Sequence, residues 1–307
     1  SGGTESANMA IFGVSFHNGC NIVTTETEHS AVYNSAVSMK NKGCEVRFAA
    51  AKSDGSVDEK DLSEKVDGKT VLVAVMHVNN ETGAVNDIKS LVKTVKAKNP
   101  CVLFFSDGTQ AAGKIPLNVN ELGVDMYALS GHKFHAPKGI GALYVKKGVT
   151  LKPFHIGGGQ ENGLRSGTEN VGGIVAMSYA LEKAVFSVTQ NNQNFARYRQ
   201  ILKNAFDVIG DCKILAEGSS AILCAAFGGI KSQVLSNILE QDGIVVGLGS
   251  ACSSKNKRNR VMLAAGLGKH YIEGVVRLSF SRYNTVPEIE ALALNLIRSV
   301  EYLRKLN

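Results

Sequence analysis

Short apolar runs at 21–25, 44–49, 70–76, 101–105 and 124–129 alternate with stretches of helical pattern. Few folds accept that rhythm. It predicts strand–helix units and a mainly parallel sheet. Asp58 and Asp87 stand where helix caps are expected, before helical patterns that run to about 66 and 97. Polar clusters recur just after the strands: Glu28-His29-Ser30, Asn79-Asn80-Glu81-Thr82-Gly83, Ser106-Asp107-Gly108-Thr109-Gln110 and Ser130-Gly131-His132-Lys133. In open α/β sheets that edge is where ligands bind. Each cluster alone reads as a turn or a cap. Four at one kind of location predict that His29, Asn80, Asp107 and Lys133 converge.

Further on, 139–145 reads as a strand, and a loop rich in glycine and polar groups covers 157–168. A long loop of that chemistry is a functional candidate. The pattern from 171 to about 209 is helical, with an interruption near 190–193 that sets the expected domain boundary. Residues 1–190 then form a large domain and 191–307 a smaller α/β domain. In the latter, 221–227, 244–246 and 275–280 read as strands, 232–240 as a helix, and Pro287 opens a helix to 303.

At 307 residues the chain is long enough for two cores. Its 44% hydrophobic and 20% charged residues exclude global disorder. No apolar run approaches membrane-spanning length, and no leader-like stretch opens the chain, so a cytoplasmic or organelle-matrix protein without membrane contact is expected. A net charge of +7 permits an acidic partner, but the basic residues are dispersed apart from Lys255 to Arg260. Direct nucleic-acid binding is not expected. The six cysteines show no zinc-site spacing, so no intrinsic metal is expected. Cys44, Cys101 and Cys224 lie in or beside apolar runs and read as inert core thiols. Cys252 differs: it lies among small residues, Gly249-Ser250-Ala251-Cys252-Ser253-Ser254, with cations just beyond that favour a thiolate.

A lysine after one strand and an acid after another suggest a site where an amine does covalent chemistry. Lysine does this by forming a Schiff base with a carbonyl, most often that of pyridoxal phosphate (PLP). The opening Ser1-Gly2-Gly3-Thr4 before a helix supplies a usable anion site.

Eight stretches, in order, carry a resemblance: SGGTES, TEHSAV, MHVNNETG, SDGTQAAGK, SGHKFHAPKGIG, GGGQENGLRSGTEN, GSACSS and VRLSFSR. The chain resembles the cysteine desulfurases, PLP-dependent enzymes of fold type I in the class-V aminotransferase group. The resemblance implies that Lys133 holds PLP and that Asp107 pairs with its ring nitrogen. It implies that Gln110 and Asn80 bind the ring hydroxyl and that His29 stacks on the ring and relays protons. Gly3 and Thr4 would hold the phosphate with Ser130 and His132. Thr168 would reach the phosphate of a neighbouring subunit, which implies a homodimer. Arg277, with Asn80, would take the carboxylate of L-cysteine.

Cys252 would be the nucleophile, attacking the substrate sulfur, releasing L-alanine and retaining a persulfide. The implied sulfur acceptor is an iron–sulfur scaffold, where Cys252 could meet a cluster during transfer, or a tRNA-thiolation protein. A selenocysteine lyase would share almost every cofactor residue, and a non-catalytic scaffold or sulfur-relay subunit on the same fold is the other alternative. Family members carry a segment before the SGGTE-like loop, and this chain is expected to lack it. Gly108 stands where alanine is usual, a change expected to be harmless.

Overall fold

The computed structural model describes residues 1–218, 221–248 and 260–306. Cys252 and the basic run from Lys255 to Asn259 lie outside the described residues. Contacts divide the chain into two units. The first comprises 1–51, 57–78 and 86–188; the second comprises 52–56, 79–85 and 189–307. Two short segments of the amino-terminal half therefore go with the second unit, and Asn80 goes with them.

In the first unit, helix α1 (Gly3–Gly13) is followed by β1 (Asn21–Thr25), α2 (Ser30–Ser38), β2 (Glu45–Ala49), α3 (Glu59–Lys65) and β3 (Thr70–Ala74). Then come α4 (Ile88–Lys98), β4 (Leu103–Asp107), the short α5 (Val119–Leu122), β5 (Met126–Ser130) and β6 (Gly141–Val145). Helix α6 (Val171–Phe186) closes the unit. The six strands form one sheet in the order β2-β1-β3-β4-β5-β6. All neighbours pair in parallel except β5 and β6, which are antiparallel.

Alternate residues of each strand serve opposite faces. Ile22, Leu72, Phe105, Met126 and Ala128 pack with Ala7, Ala10 and Ile11 of α1 and with Val32 and Ala36 of α2. Their sequence neighbours Val23, Val73, Phe104 and Tyr127 pack with Leu62 of α3 and with Ile88, Leu91, Val92 and Val95 of α4. A parallel sheet needs both faces covered, and near-continuous apolar strands supply the surface. Asp58 and Asp87 accept main-chain N–H bonds at the starts of α3 and α4.

The second unit holds α7 (Val188–Ile209), β7 (Cys212–Ile214), β8 (Ile222–Phe227), α8 (Ser232–Gln241), β9 (Gly247–Leu248), α9 (Arg260–Ala264), α10 (Lys269–Ile272), β10 (Val275–Ser279) and α11 (Val286–Leu306). Residue Val188 of α7 counts with the first unit. The sheet is antiparallel, in the order β7-β8-β10-β9. One face carries Leu223, Ala225, Val276 and Leu278 against α7, α8 and α11. On the other, Cys224, Ala226 and Val275 meet Val261 and Met262 of α9.

Several expectations need correction. The helical stretch breaks at Ser187, whose hydroxyl donates to the Lys183 carbonyl, and 190–193 lies inside α7. Polar amides such as Gln190 and Asn191 do not stop a helix. The strand expected at 244–246 lies at Gly247–Leu248 instead. Cys101 is exposed, because β4 starts only at Leu103. Cys44 and Cys224 are buried as expected.

Gly108 is not interchangeable with alanine. A β-carbon there would lie 1.9 Å from Tyr127 Cε1 and 2.1 Å from Cζ. Tyr127 is fully buried and cannot swing away without opening the core. Gly108→Ala is therefore expected to lower stability by about 1–3 kcal/mol, the usual cost of overpacking. A urea midpoint shift checks this, and the same Gly108→Ala change should cost less in a Tyr127→Leu background than in the wild-type chain. An unchanged midpoint in Gly108→Ala would contradict the packing.

Candidate active site

Strands β1, β3, β4 and β5 run in parallel, so their carboxyl ends share one edge. Asp107 ends β4 and Ser130 ends β5. Lys133 follows in a tight turn, Gly131–Phe134, that stops at His135 in the left-handed region (φ 72°). Lys133 is half-buried. Asp107 is 5% exposed, and its Oδ1 accepts the N–H of Thr109 at 2.9 Å. Its carbonyl accepts the N–H of His77 at 2.9 Å, which extends the β3–β4 pairing beyond both strands.

The start of α1 lies at this same place. A β-carbon on Gly3 would come within 2.8 Å of Thr109 Oγ1 and 3.5 Å of Ser130 Cβ. Among the described residues no side chain caps α1. Thr109 Oγ1 is buried and has no hydrogen-bond partner among the described residues. Ser130 Oγ and His132 Nδ1 are 3.1 Å apart. The imidazole of His132 is held below its usual range, first by desolvation and then by Lys133, Lys138 and Lys114. Uncapped amides, an orphan hydroxyl and nearby cations make this a site for an anion.

Gln110 stands three residues past Asp107. Lys114 Nζ donates to its Oε1 at 2.5 Å. An ammonium only donates, so the contact fixes the amide and leaves its NH2 as a donor. His29 is the N-cap of α2: its Nδ1 accepts the Ala31 N–H at 3.1 Å, which puts the proton of the neutral ring on Nε2. The ring is exposed. Thr168 is exposed on the long loop. That loop is pinned to α1 by Arg165, whose Nε donates to Glu5 Oε1 at 2.9 Å. Burial alone would raise the Glu5 carboxyl, but the bonds from Arg165 and Ser1 outweigh it and draw it down to about 2.

The structure thus brings Gly3, Asp107, Gln110, Ser130, His132 and Lys133 to one edge of the first unit, with Thr4 in the first turn of α1 and His29 capping α2. Asn80 and Arg277 belong to the second unit. There, Arg277 Nη1 donates to the Asn80 carbonyl at 2.9 Å. Asn80 sits in a turn where Asn79 Oδ1 accepts the N–H groups of Glu81 and Thr82. Thr109 and Lys114 lie within the SDGTQAAGK stretch, and His77 within MHVNNETG, but the sequence carries no separate signal for any of the three. His77 lies beneath the edge, 6% exposed, with Nδ1 2.8 Å from the Tyr127 hydroxyl.

Comparison with known proteins agrees with this geometry. The aminotransferase class-V family model matches residues 1–292. A cysteine desulfurase, IscS, of Dictyoglomus turgidum is 34% identical over all of this chain and 79% of its own length. Among solved structures, a NifS-like protein superposes with a TM-score of 0.91 at 33% identity, over 99% of this chain and 82% of that one. SspA, solved in complex with cysteine, gives a TM-score of 0.78 at 28% identity over 92% and 81% of the two chains. The chain belongs to the aminotransferase class-V family and falls among its cysteine desulfurases. The resemblance read from the eight motifs is borne out.

His77 generates a pH prediction. Desolvation lowers its imidazole from 6.5 to about 4, against a weak pull from Asp87. Between these values the unfolded chain binds the extra proton and the folded chain does not, so stability is lost as pH falls from about 6.5 to 4. The contribution is on the order of 3 kcal/mol. His77→Gln should show a shallower loss over that range in urea titrations at stepped pH. An identical slope in both proteins would contradict a buried neutral imidazole.

Proposed function

We propose that this cysteine desulfurase uses PLP to take sulfur from L-cysteine, releases L-alanine, and passes the sulfur through Cys252 to an acceptor protein. The observation that carries the cofactor assignment is the orphan Thr109 hydroxyl, buried beside the uncapped start of α1 where Gly2 and Gly3 offer no side chains. A phosphate satisfies both needs at once: it accepts from the free amides and from the hydroxyl. The residues present therefore fit the group.

Gly3, Thr4, Thr109, Ser130 and His132 would hold the phosphate. Lys133 would hold the aldehyde carbon covalently, and Asp107 the ring nitrogen. Gln110, its NH2 presented by Lys114, would donate to the ring hydroxyl, with Asn80 assigned the same task. His29 would lie on the ring face. Bound there, the cofactor supplies an electron sink for the substrate carbanion. The chain's own groups do the rest. Lys133, as a free amine, takes the Cα proton. His29 keeps its Nε2–H available as a donor. Arg277 pairs with the substrate carboxylate, and the Cys252 thiolate takes the sulfur. SspA, a structural relative, was solved with cysteine, which supports that substrate class. Thr168 is exposed, and the family resemblance assigns it to a homodimer in which each subunit completes its neighbour's phosphate site. The acceptor is read as an iron–sulfur scaffold or a tRNA-thiolation protein.

Alanine and sulfide release from L-cysteine, with PLP added, tests the whole reading. Lys133→Ala should lose both products and the visible absorbance of bound cofactor. Cys252→Ser should keep that absorbance yet form no persulfide detectable by alkylation and mass measurement. Full turnover in Cys252→Ser would overturn the role of Cys252, and absence of any cofactor band in the wild-type chain would overturn the cofactor.

A further inference from the structure

Arg277 and Gly247 face each other in the β10–β9 pairing. A β-carbon on Gly247 would lie 3.0 Å from Arg277 Nε and 3.0 Å from Nη2. The guanidinium therefore lies in the space that any other residue at 247 would fill. Its three nitrogens have different fates. Nη1 donates to the Asn80 carbonyl at 2.9 Å. Nε is buried and has no partner among the described residues. Nη2 makes no hydrogen bond among the described residues and is not sealed from solvent.

A guanidinium can grip a carboxylate side-on through Nε and one terminal nitrogen, or end-on through both terminal nitrogens. Burial of Nε against Gly247 removes the side-on edge. End-on binding through Nη1 and Nη2 remains, with Nη1 steadied by the Asn80 carbonyl. We propose that Gly247 and the main-chain carbonyl of Asn80 are positioning groups that aim the terminal fork of Arg277 at the α-carboxylate of the amino-acid substrate. The proposal rests on reading Arg277 as the carboxylate anchor and adds which edge is used and what sets it. Gly247 acts by lacking a side chain. It does not touch substrate.

Gly247→Ala suits a test because the position is outside the left-handed region and lies on a two-residue edge strand. A new methyl pushes the guanidinium by a few tenths of an ångström or more. Loss of one good charge-assisted bond should raise KM for L-cysteine roughly tenfold, with kcat within about twofold. Gly247→Val should raise KM further. Arg277→Ala should also raise KM, and adding Gly247→Ala to it should change nothing more, because the two act through one group. Melting temperature and cofactor absorbance, taken on every variant, identify any chain whose sheet edge has failed to fold. A KM unchanged in Arg277→Ala overturns the anchor itself. A KM raised in Arg277→Ala but not in Gly247→Ala or Gly247→Val overturns the positioning role alone. An added effect of Gly247→Ala in the Arg277→Ala background overturns it too, because Gly247 would then act by another route.

Discussion

Pairing of β3, β4 and β5 in parallel is the constraint on which the site depends. The pairing does not stop at the strand ends. His77 donates to the Asp107 carbonyl, and Gly108 donates to the Ala128 carbonyl. The chain leaving β4 is thus held from both sides just where Asp107 stands. Its carboxylate is placed by the sheet, and Thr109 N–H then fixes one of its oxygens. A site built on rigid elements keeps its geometry better than one built on a loop. Helix α1 is tied to the same frame: a β-carbon on Gly141, opposite Ser130 in the β5–β6 pairing, would come within 2.7 Å of Gly2 Cα. Only a glycine at 141 lets the start of α1 approach so closely.

Much of this was legible because parallel strands carry a strong signal. Runs such as Val71 to Met76 are apolar on both faces, and Asp58 and Asp87 mark helix starts without ambiguity. Strands β7 and β9 carry no such signal. Three and two residues long, they exist because β8 and β10 offer them edges. The apolar run at 244–246 looked the better strand by composition, yet the pairing falls on Gly247, where a large guanidinium needs room. Asn80 was readable as a polar residue after a strand, but not as part of the second unit. Only seven residues leave the first unit there, and no change in composition announces it. Lys133 and Asp107 could be placed at one edge because each stands at or just past a strand end. Thr109 could not be singled out, because what distinguishes it is the absence of a partner, which only the packing reveals.

Three glycines share a logic that propensity rules do not capture. Gly3, Gly108 and Gly247 are all outside the left-handed region, so none is needed for its backbone freedom. Each is needed for the atom it lacks. The Thr109 hydroxyl takes the space at Gly3, the Tyr127 ring takes it at Gly108, and the Arg277 guanidinium takes it at Gly247. The partners lie between 19 and 106 residues away in the sequence. Such contacts couple distant stretches through volume, and a close-packed interior transmits volume changes strongly.

The Gly108–Tyr127 pair shows how this bears on the chemistry. Tyr127 could not fill its place with an alanine at 108, and without Tyr127 the imidazole of His77 would lose the hydroxyl beside its Nδ1. His77 in turn supplies the N–H that holds the Asp107 carbonyl. A change that looks conservative at 108 therefore reaches Asp107 through two further residues.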